Sequence, residues 1–212
     1  MAAAAAAART AALTAATARR ASTAPSTPKP PTIIAPSAVI ANHALLTGTH
    51  RVSVAAGAVL HPYCRVESVV GAVEIGEGSV VGERVGLGVK AAGDYTGGIK
   101  NDGDIKTILG ANVTLEAGAV VEAGAVVGEG SVVEAAARVG AGARVGRYCR
   151  IAPLGVVGPG ETVGDFVVVF VGGRRGDGMA ARGEGRERRR GHERGVEVVR
   201  GLVPNQAAKW MG

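Results

Sequence analysis

The sequence predicts an all-β fold, a single-stranded parallel β-helix of hexapeptide repeats followed by a short C-terminal α-helix. Three observations carry that prediction. An aliphatic residue occupies every sixth position without a break, at Leu109, Leu115, Val121, Val127, Val133, Val139, Val145, Ile151, Val157, Val163 and Val169. A small residue follows four places later, at Ala119, Ala125, Ser131, Ala137, Ala143 and Cys149. Glycine often stands directly after the aliphatic, at Gly76, Gly82, Gly110, Gly128, Gly140, Gly146, Gly158 and Gly164. Helices and strands repeat every 3.6 and 2.0 residues, so a strict period of six means one short unit stacked many times. A long aliphatic and a small partner, both inward, fill a narrow prism at native density. The glycines suit tight corners, where a Cβ is penalised. Three hexads make one coil, and coils stack about 4.8 Å apart as parallel strands do.

Taken in order, residues 1–32 form an Ala/Thr/Pro-rich extension, expected to be disordered. Arginines without acids in an Ala-rich leader also describe a mitochondrial transit peptide. The prism is expected over 33–172. Ile34, Ile40, Leu46 and Val52 keep the register, a two-residue slip resets it at Val54, Leu60 and Val66, and a three-residue excess leads to Ile75, Val81 and Leu87. The stretch 88–108, rich in Gly, Asp and Lys, interrupts the ladder and is expected as a loop expelled from one corner, either functional or disordered. An Arg/Gly-rich linker is expected at 173–195 and a C-terminal helix at 196–212. That helix offers Val198, Val199, Leu202, Val203 and Trp210 for packing over an open edge of the prism, with Pro204 at a break or a first turn.

At 212 residues and 47% hydrophobic the chain supports one sizeable domain, and 3% aromatic content suits an aliphatic ladder. No apolar run approaches a membrane-spanning length. The net charge of +6 belongs to two segments. Residues 1–31 carry +4 and residues 173–195 another +4, which leaves the body at −2. A nucleic-acid role calls for a basic stripe with stacking aromatics, and the body has neither. Cys64 and Cys149 occupy the small inward position, so both read as core fillers, suited to a reducing compartment.

Two chemistries suit a hexapeptide β-helix, and both need histidine. Acyltransferases use an imidazole as general base, and γ-class carbonic anhydrases hold a metal through three histidines. The four histidines are His43, His50, His61 and His192, with none between His61 and His192. His192 falls in the Arg-rich segment, where no rigid scaffold is expected. The first three are spread over early hexads. Glu116, Glu122 and Glu134 read as solvated face residues, and the GEG triplets at 76–78 and 128–130 as products of the repeat, with no strand-to-helix switch after them. No catalytic, cofactor-binding or metal-ligating residue is assigned, and the expectation is a protein that is not an enzyme.

The non-repetitive stretches VLHPYCRV (59–66), VEIGEGSVVGERVGL (73–87), VVEAAARVG (132–140), GVVGPGETVGDFVVVFVGGRR (155–175) and LVPNQAAKW (202–210) carry a resemblance to a known family. With them the chain resembles the dynactin subunit 6 family, over about 33–175 plus 196–210. The resemblance implies a left-handed β-helix and a non-catalytic scaffold role in the pointed-end complex of dynactin, supporting dynein-driven microtubule transport and cargo coupling. It implies protein partners, dynactin subunit 5 and other pointed-end subunits including an actin-related protein, with no cofactor, in the cytoplasm on the cytoskeleton. The chain departs from the family at 1–32 and at the Arg/Gly-rich 176–195. The alternatives are a γ-carbonic-anhydrase-like mitochondrial protein and a hexapeptide acyltransferase.

Overall fold

The computed structural model describes residues 28–91, 100–101, 104–176 and 179–211. Short parallel strands stack into three faces of a prism. The first face is built from Thr32–Ile34, Val52–Val54, Ala72–Ile75, Asp104–Leu109, Val126–Val127, Arg144–Val145 and Thr162–Val163. The second runs Val39–Ile40, Val59–Leu60, Val80–Val81, Thr114–Leu115, Val132–Val133, Arg150–Ile151 and Val167–Phe170, and ends with Gly173–Gly176 paired antiparallel to the last strand. Leu45–Gly48, Arg65–Ser68, Gly86–Val89, Val120–Glu122, Arg138–Val139 and Val156–Val157 make the third. The architecture is the left-handed parallel β-helix.

Register explains the sequence pattern. Val127 pairs with Val145 and Val145 with Val163, an offset of 18 residues, which is three hexads per coil. In the early coils Ile34 pairs with Val54 and Val54 with Ile75, offsets of 20 and 21. The extra residues sit in longer strands of the third face and the corner after them, so the slips in the ladder are local. The insertion is narrower than the expected 88–108: Gly86–Val89 and Asp104–Leu109 are prism strands, with Lys106–Leu109 paired to Ala72–Ile75. Part of the insertion, 92–99 and 102–103, lies outside the described residues.

Every aliphatic from Leu109 to Val169 is at most 3% exposed, and the small partners from Ala119 to Cys149 are equally buried. Cys64 and Cys149 are two of those fillers, and burial pushes the Cys64 thiol up to about 12 and Cys149 in the same direction. Both therefore stay protonated at neutral pH, which suits packing and not nucleophilic chemistry.

The corners differ from the sequence expectation in their physical cause. The left-handed residue lies three places after the aliphatic, as at Asn112, Gly118, Gly130, Ala136, Tyr148 and Phe166. Its N–H donates to a carbonyl of the preceding coil, for example Tyr148 N to Glu129 O at 2.8 Å. The glycines directly after the aliphatics serve coil-to-coil approach instead. A Cβ at Gly128 would lie 2.5 Å from the Gly146 carbonyl oxygen, whereas one at Gly164 would meet nothing within 4 Å. Gly128→Ala is expected to destabilise the fold by about 1–3 kcal/mol, and Gly164→Ala to change little, in paired urea denaturation curves.

Glu122 and Glu134 are not solvated. They are 3% and 7% exposed and pair with Arg138 and Arg150 of the next coil. Glu116 is exposed as expected, and its carboxylate accepts the Ala135 N–H at 3.1 Å.

The expected linker at 173–195 is corrected. A helix, α1, spans Met179–Leu202, so it starts well before Val196. Five glycines between Gly183 and Gly201 hide it, because glycine lowers helix propensity by about 1 kcal/mol each, and docking on the prism is what stabilises it. Val196, Val199 and Val203 pack on Val39, Val59 and Val80 of the second face, while Val198 and Leu202 stay exposed. Those three valines share one side of a helical turn. After Pro204 the chain crosses the first coil: Gln206 N donates to Ile40 O at 2.7 Å, and Asn205 accepts from Ile40 N and donates to Ala38 O. A short 3-10 turn, Ala207–Lys209, then places Trp210 in the main core cluster. The open edge of the first coil is thereby covered, as residues 196–210 suggested. Residues 28–32, expected within the N-terminal extension, are joined to the prism through Gly48 N to Pro28 O, Val52 N to Pro31 O and the strand Thr32–Ile34. Residues 1–27 lie outside the described residues.

Candidate functional site

The four histidines occupy four different settings. His43 sits at a left-handed corner (φ 62°), its ring stacked on Tyr63 with centroids 5.2 Å apart. His61 is half-buried on the next coil, and burial lowers its pKa against the opposing pull of Glu83. Its imidazole is therefore neutral at pH 7.

His50 lies at the corner between Leu45–Gly48 and Val52–Val54, exposed to solvent and anchored at one nitrogen. Its Nδ1 is 2.9 Å from the carbonyl oxygen of Ser68. A carbonyl can only accept, so Nδ1 carries the proton and Nε2 keeps its lone pair in the neutral ring. Ser68 grips this corner several times. Its carbonyl also accepts the His50 N–H at 3.0 Å, and its hydroxyl, fully buried, donates to His50 O at 2.8 Å. Gly48 is needed here, since a Cβ would lie 2.5 Å from Ser68. The corner adjoins charged side chains: Arg51 and Lys106 flank Glu74 at 3.8 and 3.4 Å, and Arg65 pairs with Glu67 at 2.7 Å.

His192 is corrected most strongly. α1 carries it onto the prism, where Nε2 lies 2.7 Å from Gly78 O and Nδ1 lies 3.1 Å from the Thr114 hydroxyl. By the same reasoning Nε2 is protonated and Nδ1 accepts from Thr114. Beside it a cleft of about 480 Å³ runs between α1 and the prism corner, lined by Glu77, Gly78, Asn112, Glu193, Val196 and Arg200 among others. The structure does not bring the four histidines together. Among the described residues, no group of three or more His, Cys, Asp or Glu is placed to hold a metal ion, and no helix is long and apolar enough to cross a membrane. Ser68, Thr114 and Gly78 escaped sequence reasoning. Each matters through a contact with a residue 18 to 114 positions away, and no local signal marks it.

No protein-family model matches the chain, and no curated protein does. Solved structures do match. A hexapeptide transferase family protein from Anaplasma phagocytophilum superposes with a TM-score of 0.61 at 14% identity, over 81% of this chain and 93% of that one. A Bacillus cereus protein described as an acetyltransferase follows at TM-score 0.48 and 18% identity, over 81% and 92%. The UDP-N-acetylglucosamine acyltransferase of Francisella novicida matches at TM-score 0.42 and 16% identity, over 74% and 71%. At these identities the likeness shows the fold. The neighbour at TM-score 0.61 is described as a hexapeptide transferase family protein, and nothing in the comparisons identifies dynactin subunit 6. The expectation of a non-catalytic dynactin scaffold, with its dynein and microtubule role, is corrected accordingly, as is the expectation that the chain is not an enzyme. Its premise was a shortage of usable histidine, whereas the prism anchors His50 and receives His192 from α1.

Proposed function

We propose that the chain is an acyltransferase of the hexapeptide type. It moves an acyl group from a thioester donor to a hydroxyl or amine acceptor, with His50 as general base. The carrying observation is the Nδ1–H of His50 held by the Ser68 carbonyl, which leaves Nε2 as a proton acceptor directed away from that anchor. In the reaction the acceptor oxygen or nitrogen attacks the thioester carbon while its proton passes to Nε2. The carbon–sulfur bond then breaks, and the departing thiolate takes that proton from the imidazolium. The likeness of the prism to the hexapeptide transferase of Anaplasma phagocytophilum supports the reaction class. His61, though neutral, has neither ring nitrogen anchored among the described residues and is the second choice as base.

The test is release of free thiol from acetyl-CoA in the presence of a panel of hydroxyl and primary-amine acceptors. The wild-type chain is expected to turn over at least one acceptor, and His50→Ala to lower kcat by about 10²–10⁴-fold. Equal turnover by His50→Ala would remove His50 from the chemistry. A panel with no acceptor-dependent release would count against the reaction class.

A further inference from the structure

A second group on the prism has the arrangement of a covalent acyl-transfer site, and it stands on observations independent of His50. The Thr114 hydroxyl donates to Nδ1 of His192 at 3.1 Å, and Nε2–H of the same ring donates to the carbonyl of Gly78 at 2.7 Å. Hydroxyl, imidazole and a third group that fixes the imidazole are the three parts of an activated-nucleophile site. Here the third part is a backbone carbonyl. The imidazole tautomer is the one that nucleophilic attack requires, because Gly78 O leaves Nδ1 as the only ring acceptor. Rigidity is supplied from both sides. Thr114 belongs to a strand paired on both edges, with Val80 and Val132, and α1 is seated next to His192 by Val196 and Val199. Gly78 is itself in the left-handed region (φ 64°), and a Cβ there would lie 2.7 Å from Asn112 Oδ1, so this corner is closely packed. A cleft of about 480 Å³ runs alongside, lined by Gly78, whose carbonyl holds His192, and by Asn112 and Glu193.

We infer that Thr114 is a nucleophile and His192 its general base, forming an acyl-enzyme with small activated esters. Thr114 Oγ1 attacks the ester carbonyl as its proton moves to His192 Nδ1. A bond forms from Oγ1 to the acyl carbon, the carbon–oxygen bond to the alcohol breaks, and the alkoxide takes the proton from His192. Water then attacks the threonyl ester with His192 again as base, which returns the free hydroxyl and a carboxylic acid. A purely structural clasp between α1 and the prism has the same hydrogen bonds and never forms a covalent adduct, so the adduct separates the two roles.

The experiment incubates the full chain with p-nitrophenyl acetate and follows p-nitrophenolate release together with intact mass and peptide mapping. The expected result is a gain of one acetyl group on the peptide that contains Thr114. Thr114→Ala and His192→Ala lose the adduct and lower the initial rate by about 10²-fold or more. Thr114→Ser retains the adduct, which guards against a loss caused by altered folding, and His50→Ala retains it too. The last arm separates this site from the proposed transfer reaction, whose failure would be read with acetyl-CoA. Absence of an adduct in the wild-type chain, or its persistence at another residue in Thr114→Ala, would overturn the inference.

Discussion

Trp210→Ala is expected to destabilise the folded chain by about 3–5 kcal/mol, the range for truncating a buried tryptophan. The residue is 7% exposed and belongs to the same core cluster as the aliphatic ladder. Its backbone is tied down as well, since Thr32 Oγ1 donates to Trp210 O at 2.5 Å and Trp210 N donates to Ala207 O at 2.9 Å. Lys209 and Lys29 stand over the indole at 5.3 and 5.9 Å from its centroid, a further cation–π contribution of about 0.5–1 kcal/mol at such exposed positions. A β-helix also has a particular vulnerability at its ends, where unpaired strand edges invite association. Loosening the 205–211 segment uncovers Val39–Ile40, so the variant is expected to associate on mild heating as well as to unfold earlier. Urea denaturation with parallel light scattering measures both effects. Val198→Ala, on the exposed side of α1, should stay within about 0.5 kcal/mol of wild type.

A comparable loss is expected from Arg138→Ala. Glu122 is 3% exposed, and its Oε1 accepts from the Arg138 guanidinium while Oε2 accepts the Ala141 N–H at 2.9 Å. The arginine side chain is half-exposed, so the two removals are unequal. In Glu122→Gln the amide oxygen can still accept the Ala141 N–H and Arg138 can turn to water, so the loss is that of a charge-assisted hydrogen bond, about 1.5–3 kcal/mol. Without Arg138, a buried carboxylate is left with no cation, which costs about 3–5 kcal/mol. The predicted order is therefore Arg138→Ala worse than Glu122→Gln, with the double variant recovering part of the loss. A double-mutant cycle by chemical denaturation reads that order directly. Arg144→Ala, on an exposed outward position of the first face, serves as the surface control.

These contrasts show where sequence reasoning reached and where it stopped. The inward residues were legible because the prism imposes one rule on every hexad. Leu115, Val133 and Ala137 are buried for reasons visible in spacing alone. Burial of Glu122 and Glu134 was not legible, because their partners lie 16 residues on, along the stacking direction, where no local period reports. The glycines were seen, yet their cause was misplaced. Gly128 answers to the carbonyl of Gly146 in the next coil, and the left-handed corner belongs to the residue two places later. The helix was placed too late because its glycines and arginines mask a segment that tertiary packing holds. That error also misjudged His192, which gains a rigid setting only when α1 lies on the second face. Function is hidden in the sequence for the same reason. Motifs inside a hexapeptide repeat resemble many proteins that share the repeat, while Ser68 and Gly78 act through backbone carbonyls that any residue would provide.

His50 presents a bare Nε2 while Ser68 holds the protonated Nδ1. The ¹⁵N NMR spectrum of the neutral His50 imidazole in the full chain reads this arrangement. The neutral ring is predicted in the Nδ1–H form, with Nε2 at the position of an unprotonated nitrogen. A spectrum showing the Nε2–H form, or rapid averaging of the two forms, would contradict the account.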